Sequence, residues 1–380
     1  MAKIAKTIGI AHHTYTSYSL VESELVAYLL GRDEVKEVTL LTNPFLQARD
    51  GVSLKSRVQL YRDGKLVKTS WGPAGFGHEL IFFLRDLCFT FVHFWQYPAE
   101  LYIGVDNLNT LTGLLLRRCG KVERVIYYVI DYVPNRFKAN WLNRLYHWLD
   151  RYCVSQADET WNLSEAMATE RARVGLSTEA GSRQRTVPIG THQLKPAVKS
   201  SRSEFFPELI FLGILSPEQG IELLLEAWPK ILVAVPKARL TIIGSGPLAD
   251  SVRSSRVPIR FLGYLPEQAD VDKYLATADI GLAPYEIRPD SFKQFTDPGK
   301  IKSYLGAGLP IVMTNISAIA QEIKRAGAGK IVTNDVEVLV EAIVSLATNS
   351  DDYEQAARAA QKLAQGYLWT NIFDTAFDIA

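Results

Sequence analysis

The sequence predicts an α/β protein built from two doubly wound, Rossmann-like halves. Three observations carry that prediction. The chain has 380 residues, which suggests two domains. Short apolar runs alternate with segments of helical periodicity, the pattern of parallel strands joined by helices. At 176–206 the composition shifts to Ser, Arg, Lys, Pro and Gly with few aliphatics, and the alternation restarts at Glu208. The break reads as a last strand near Val187 followed by an interdomain linker.

In the first half, residues 6–11 read as a strand, and Ser19 to Leu30 as a helix ended by Gly31. Val35 to Leu41 is a strand. Residues 57–69, RVQLYRDGKLVKT, form a hairpin turning at Asp63-Gly64. Phe76 to Trp95 is a long apolar helix. Leu101 to Val105, Val125 to Ile130 and Glu159 to Leu163 are strands, separated by helices over Leu108 to Arg118 and Trp141 to Ser155. In the second half, Leu209 to Leu215, Arg239 to Ile243, Ile259 to Leu262, Ile280 to Ala283, Ile311 to Met313 and Gly329 to Val332 are strands. Helices cover Pro217 to Val233, Val271 to Thr277 and Pro298 to Ala307, the last with Asp297 as N-cap and Pro298 at its first position. A polar loop spans 285–297. The expected domains are 1–195, joined by a C-terminal helix at about 366–380 that packs back on it, and 204–365. The ligand site of such folds lies outside the carboxyl ends of the strands.

Composition excludes several classes. Hydrophobic residues make up 47% and charged residues 22%, an ordinary globular balance that argues against disorder. A net charge of +1 lacks the basic excess that nucleic acid demands. Cys88, Cys119 and Cys153 are too scattered for a disulfide framework or a zinc site, so a reducing compartment is expected, and no metal site is. The N-terminus holds no signal-peptide core. The longest apolar stretch, Leu80 to Trp95, is interrupted by Arg85 and Asp86, so a spanning helix is not expected. The cytoplasm follows as the expected location.

The second half carries, in order, LIFLGILSPEQGIELLLEAW, ARLTIIGSGP, IRFLGYL, YLATADIGLAPY and DPGKIKSYLGAGLPIV. These segments, within residues 209–370, resemble the donor-binding domain of glycosyltransferase family 4, whose fold is GT-B: two Rossmann-like domains facing across a cleft. QGYLWTNIFDTAF is similar to the last helices of that family. YIGVDNLNTLTG, VIYYVIDYVPNRF, WNLSEAM and VPIGTH sit where the family's first domain has related segments. The resemblance implies retaining sugar transfer from a nucleotide-sugar, UDP- or GDP-linked, to a glycan or lipid-linked acceptor, with no other cofactor. A diphosphate leaving group needs N–H donors and cations, which a helix N-terminus and a lysine supply. Gly299 and Lys300 begin such a helix, and Gly213 lies in the other turn expected at the phosphates. Lys300 in a first turn opposes the dipole unless an anion is present. Gly244 and Gly246 would line the nucleotide, though a tight turn explains them equally well. Phe261, Gly263 and Tyr264 would border the base, on which Tyr264 and Tyr285 could stack. Asp297 could face the sugar hydroxyls.

The sequence departs from the family pattern at several places. Ile214 and Gln219 stand where the family has a phosphate-binding Arg and Lys. Phe295 and Ser303 stand for two glutamates, and Ser303 is a shorter, neutral ribose partner. The first-domain His-Asp pair reads Ile130-Asp131. Lys300, Arg288 and Lys293 are the candidate replacements. The alternative is a non-catalytic GT-B protein that binds a glycan, a nucleotide or a partner enzyme.

On the acceptor side, His12 and His13 follow the first strand at its carboxyl edge, with Tyr15 and Asn107 as further candidate contacts. Asp131, which ends a buried strand, could orient the acceptor hydroxyl or serve as a structural cap. Trp141, Leu145, Trp148 and Tyr152 form an i, i+4, i+7, i+11 stripe beside Arg136, Lys138, Arg144 and Arg151. Such a stripe packs into a core or lies at a lipid surface. A peripheral membrane contact is therefore among the expectations.

Overall fold

The computed structural model describes residues 4–15, 20–45, 53–75, 79–137, 140–194, 207–288 and 292–378. The chain divides into two compact units, Met1–Pro188 with Ile372–Ala380, and Ile189–Asn371.

The first unit runs β1 (Thr7–Thr14), α1 (Leu20–Leu30), β2 (Glu37–Pro44), β3 (Lys55–Arg62), β4 (Lys65–Ala74), α2 (Glu79–Gln96), β5 (Ala99–Val105) and α3 (Asn107–Arg118). It continues with β6 (Val122–Val129), α4 (Asn140–Gln156), β7 (Glu159–Asn162), α5 (Glu165–Arg173), α6 (Thr178–Ser182) and β8 (Gln184–Thr186). Its eight-stranded sheet has the order β4-β3-β2-β1-β5-β6-β7-β8. The strands from β2 through β8 in that order pair in parallel, and the β3–β4 hairpin extends the β2 edge antiparallel. β1, β5 and β6 are buried almost throughout, as sheets covered on both faces require. The C-terminal segment closes part of this unit: Tyr28 stacks on Phe377 with ring centroids 6.0 Å apart, and its hydroxyl donates to Asp374 at 2.7 Å.

The second unit runs β9 (Glu208–Leu212), α7 (Ile221–Ala234), β10 (Arg239–Ile243), α8 (Ala249–Arg253), β11 (Arg260–Gly263), α9 (Gln268–Thr277), β12 (Ile280–Ala283) and α10 (Gly299–Gly306). β13 (Ile311–Thr314), α11 (Ala318–Ala326), β14 (Gly329–Val332), α12 (Val336–Thr348), α13 (Ser350–Gln365) and α14 (Trp369–Ala376) follow, the last crossing into the first unit. All neighbours in its six-stranded sheet are parallel, in the order β11-β10-β9-β12-β13-β14. Strand order therefore reverses between β9 and β12, the switch point at which doubly wound folds open a ligand crevice. Two buried clusters, one containing Trp228 and Phe211 and the other Tyr304 and Met313, form its core.

Four sequence readings change. The helix expected from Pro217 is a short 3-10 turn over Pro217–Gln219, and α7 starts after Gly220. Gly220 adopts φ 76°, and a Cβ there would lie 1.6 Å from the Pro284 carbonyl oxygen, so only glycine fits the break. Helix α10 begins at Gly299 with Pro298 at the cap position, so Asp297 is not its N-cap. The strand expected near Val187 is β8, ending at Thr186. Finally, the stripe on α4 is exposed: Trp141 is 65%, Leu145 51% and Trp148 56% accessible. The expected helix starts at Ser19 and Phe76 lie outside the described residues, as does most of the linker.

Candidate functional site

The switch point of the second unit is built around Lys300. Its ammonium lies 4.2 Å from the ring centroid of Phe211 on β9 and 4.8 Å from that of Tyr285, just beyond β12. Both rings attract a cation through their π faces. Lys300 Nζ also donates to Gln219 Oε1 at 2.7 Å. A Cβ on Gly213 would sit 3.1 Å from the same ammonium. Gly213, Gln219 and Lys300 are thus one cluster, drawn from the loop after β9 and the first turn of α10. No side chain caps that helix start. A Cβ on Gly299 would meet nothing closer than 3.9 Å, so the backbone there is open to approach.

The glycines of the next loop have a structural reason of their own. Gly244 has φ 145°, and a Cβ on it would lie 1.8 Å from the Gly213 carbonyl oxygen. The loops after β9 and β10 are laced by Gly213 N–H donating to Ile243 O and Leu215 N–H to Ser245 O, both at 2.9 Å. Gly246 is crowded in the same way by Leu215. Gly263 ends β11, with Tyr264 59% exposed beside it. Phe261 packs against the core cluster and under Arg253. Tyr285 is buried, so no face of it is open for stacking on a base, and burial pushes its phenol well above the usual range.

Asp297 is turned away from an open site. Its carboxylate lies 3.0 Å from Lys302 Nζ and accepts from the Ile189 N–H at 2.6 Å. Both charged side chains are buried, and Lys302 lies against the Tyr367 ring. Burial pushes the Asp297 carboxyl up and the Lys302 ammonium down, while their contact opposes both shifts. This carboxylate ties the chain at Ile189 to α10. Phe295, also buried, fills core space. Ser303 donates to the Gly299 carbonyl at 3.3 Å, within its own helix. Arg288 pairs with Glu286 at 2.7 Å on the surface. The Lys293 side chain lies outside the described residues.

In the first unit, β1 is the switch strand, with β2 on one side and β5 on the other. His12 and His13 at its carboxyl end are buried. His12 Nε2 lies 2.9 Å from Thr42 Oγ1, and its Nδ1 lies 3.3 Å from Glu22. His13 Nδ1 lies 2.7 Å from Asp106 Oδ2, and its Nε2 lies 3.3 Å from Asp86. Burial alone would lower the His13 pKa, but the two carboxylates outweigh it and raise it to about 9. Asp106 is held below the usual carboxylate range; its burial works against this, and His13 and Asn109 outweigh it. Asp106 also carries φ 105°, a conformation that ordinary side chains avoid, while capping α3 through the Asn109 N–H. Strain and buried charge therefore coincide at this switch point. Asn107 is buried, and its carbonyl accepts from the Cys153 thiol at 3.3 Å. Tyr15 is stacked on Phe45 at 4.0 Å and remains 43% exposed. Asp131, beyond β6, is paired with Arg136 at 2.9 Å and is partly open.

The structure thus brings Gly213, Gly299 and Lys300 together, with Gln219 added. It leaves Tyr15 and Asp131 accessible in the first unit and buries His12, His13, Asn107, Asp297 and Tyr285. Sequence reasoning missed Asp86, Asp106, Asn109 and Lys302. Asp86 had left a signal, as a charge inside an apolar helix, and so had Asp106, as a cap between strand and helix. Among the described residues, no group of His, Cys, Asp and Glu could hold a metal ion, and no helix is long and apolar enough to cross a membrane.

Residues 206–349 match the family Glycosyl transferases group 1. A GDP-mannose-dependent α-(1-6)-phosphatidylinositol dimannoside mannosyltransferase of Mycobacterium tuberculosis is 27% identical over 163 residues, 42% of this chain and 40% of the relative. The chain thus matches less than half the length of that relative. Among solved structures, sucrose-phosphate synthase from Thermosynechococcus elongatus superposes with a TM-score of 0.69 at 15% identity, over 98% of this chain and 99% of the other. HepE of Anabaena in complex with UDP-glucose gives 0.68 at 14%, over 98% of each. These structural likenesses show the fold, which is GT-B.

Proposed function

From the GT-B fold and the match of residues 206–349 to Glycosyl transferases group 1, we propose that the chain is a retaining glycosyltransferase of the family 4 type. It moves a sugar from a UDP- or GDP-linked donor to a glycan or lipid-linked acceptor, in the cytoplasm. The observation that carries this reading is the Lys300 ammonium at the β9/β12 switch point, beside Gly213 and the uncapped start of α10. A diphosphate there meets a cation and helix N–H groups together.

The acceptor hydroxyl oxygen bonds to the anomeric carbon on the face from which the diphosphate leaves. The carbon–oxygen bond to phosphate breaks, its electron pair goes to the phosphate oxygen, and the hydroxyl proton passes to that oxygen. No protein nucleophile is needed, so rate comes from positioning and from stabilising the leaving charge. Lys300 and the α10 backbone neutralise the phosphates, and Arg288, paired with Glu286, is the second candidate cation. Gly213, Gly244 and Gly246 shape the nucleotide wall, and Tyr264 offers the base an exposed ring. Asp131, held by Arg136, orients the acceptor hydroxyl, with Tyr15 as an exposed contact.

Transfer and donor hydrolysis, measured for the wild type and Lys300→Ala across UDP- and GDP-sugars, test this. A charge-assisted contact of about 1.5–3 kcal/mol predicts a loss of about ten- to a hundred-fold. Near-normal turnover in the variant contradicts the assignment.

A second reading, a non-catalytic GT-B protein that binds a glycan, nucleotide or partner transferase, draws on Ile214 and Gln219. Ile214 is an exposed apolar side chain where the family has a phosphate-binding arginine, and Gln219 offers Lys300 a neutral amide. On this reading, no nucleotide-sugar gives transfer, and Gln219→Lys with Ser303→Glu creates activity from none.

A further inference from the structure

Helices α2, α3 and α4 pack side by side over the first sheet. The outward faces of α2 and α4 carry exposed apolar residues. On α2, Ile81, Leu84, Val92 and Trp95 are between 44% and 55% accessible, at helical spacing. On α4 the exposed stripe is Trp141, Leu145 and Trp148, with Trp148 stacked on Tyr152. Exposed apolar stripes of this kind mark an interaction face.

Charge decides what covers it. Beyond Glu79 at the start of α2, the three helices carry only Asp86 and Asp150 as acids, and both are buried. Of their cations, Arg85 turns onto Asp86 and Arg117 pairs with Asp158, while Arg118 and Arg144 are exposed. Arg118 donates to the Tyr152 hydroxyl at 2.8 Å, and Lys121, just beyond α3, lies 4.9 Å from the Trp95 ring centroid. Arg144 and Arg151 make no hydrogen bond or ion pair among the described residues. They line a cavity of about 440 Å³, with His147, Asn143, Arg173 and Glu170. His147 donates to the Pro134 carbonyl at 2.8 Å, and Arg173 is paired with Glu170. The cavity thus adjoins the tryptophan stripe on the same helix; its carboxylate, Glu170, is taken up by Arg173, and Arg144 and Arg151 have no acid partner among the described residues.

We propose that this face docks the first unit on a bilayer carrying anionic phospholipid, with the tryptophans at headgroup level and Arg144 and Arg151 receiving lipid phosphate. Tryptophan suits that depth because its ring is apolar and its N–H polar. Guanidinium matches phosphate geometry. The docking deepens the acceptor reading above, since it brings the chain to a lipid-linked acceptor without a spanning helix. Its test does not require transfer activity.

The test is co-sedimentation of the full chain with vesicles of phosphatidylcholine, with and without phosphatidylglycerol, at low and high salt. The expected result is binding that needs phosphatidylglycerol and weakens with salt. Each surface arginine contributes about five-fold in affinity, so Arg144→Ala with Arg151→Ala lowers binding about thirty-fold. Trp141→Ser with Trp148→Ser abolishes it, and neither pair of exposed changes alters the melting temperature. Equal binding to neutral vesicles, no binding to either, or full binding by the arginine variant overturns the proposal. A concentration-dependent dimer that the tryptophan variant loses would assign the face to a second copy. Stabilisation by inorganic phosphate through the two arginines, without vesicle binding, would assign the cavity to a free anion. Either result also overturns the proposal. If vesicle binding fails while nucleotide-sugar turnover persists, the docking inference falls and the transferase reading stands.

Discussion

His13 is charged at neutral pH because two carboxylates flank it in the buried interior. Its pKa rises from 6.5 to about 9 on folding. A group whose folded pKa is raised stabilises the fold fully below its unfolded value and loses that contribution as pH climbs through the folded one. The His13 contribution, about 3 kcal/mol by the size of the shift, should therefore fade between pH 6.5 and about 9. Urea unfolding of the wild type and His13→Gln across that range checks it. The stability gap should narrow as pH rises, and a constant gap would contradict the charged pair. Asp106 acts in the opposite sense, its contribution being lost as pH falls through its lowered pKa. Such pairs are poorly legible in sequence because their members lie far apart along the chain. Lys300 was legible, since a cation in a helix first turn needs an anion or another reason to be there. Lys302, two residues on, carries no comparable signal, yet it is buried against Asp297.

Elements were legible where apolar periodicity was strong. The parallel strands of both sheets fall close to where their short apolar runs stand, and Asp63-Gly64 marks the β3–β4 turn. Helices α5, α6 and α8 were not expected, because segments of nine residues or fewer show little periodicity. The stripe on α4 could be read as core or as surface, because spacing says which residues share a face and not what the face meets. One buried ion pair ties α4 to α5. Arg171 grips Asp150 through two hydrogen bonds of 2.7 and 2.9 Å, Tyr127 donates to the same carboxylate, and Arg171 also donates to Asn162. Arg171→Met strands a buried carboxylate, with an expected cost of about 3–5 kcal/mol. Adding Asp150→Leu removes the stranded charge, so denaturant melts should show the double variant recovering much of the loss. A double variant no more stable than the single would contradict the account.

At the scale of the whole molecule, each sheet has a reversal of strand order, and each reversal gathers polar chemistry. In the second unit that chemistry is a lysine between two aromatic rings beside a glycine turn and an open helix start. In the first it is a strained aspartate locked to a histidine. The sequence carried the two-part architecture through its composition break and the family resemblance of its second half. The first half resembles that family less, and its site was correspondingly less legible: the candidates His12, His13 and Asn107 are buried, while Tyr15 and Asp131 remain accessible. On the proposed function, the Lys300 cluster holds a nucleotide diphosphate. The most direct test is a thermal-shift series with UDP, GDP, ADP, CMP and dTDP and their sugar conjugates, on the wild type and Lys300→Ala. A ligand at 100 times its dissociation constant stabilises a fold by about 2.7 kcal/mol. The account predicts a clear shift with UDP or GDP or its sugar that the variant loses. No shift with any nucleotide, or an equal shift in Lys300→Ala, would contradict it.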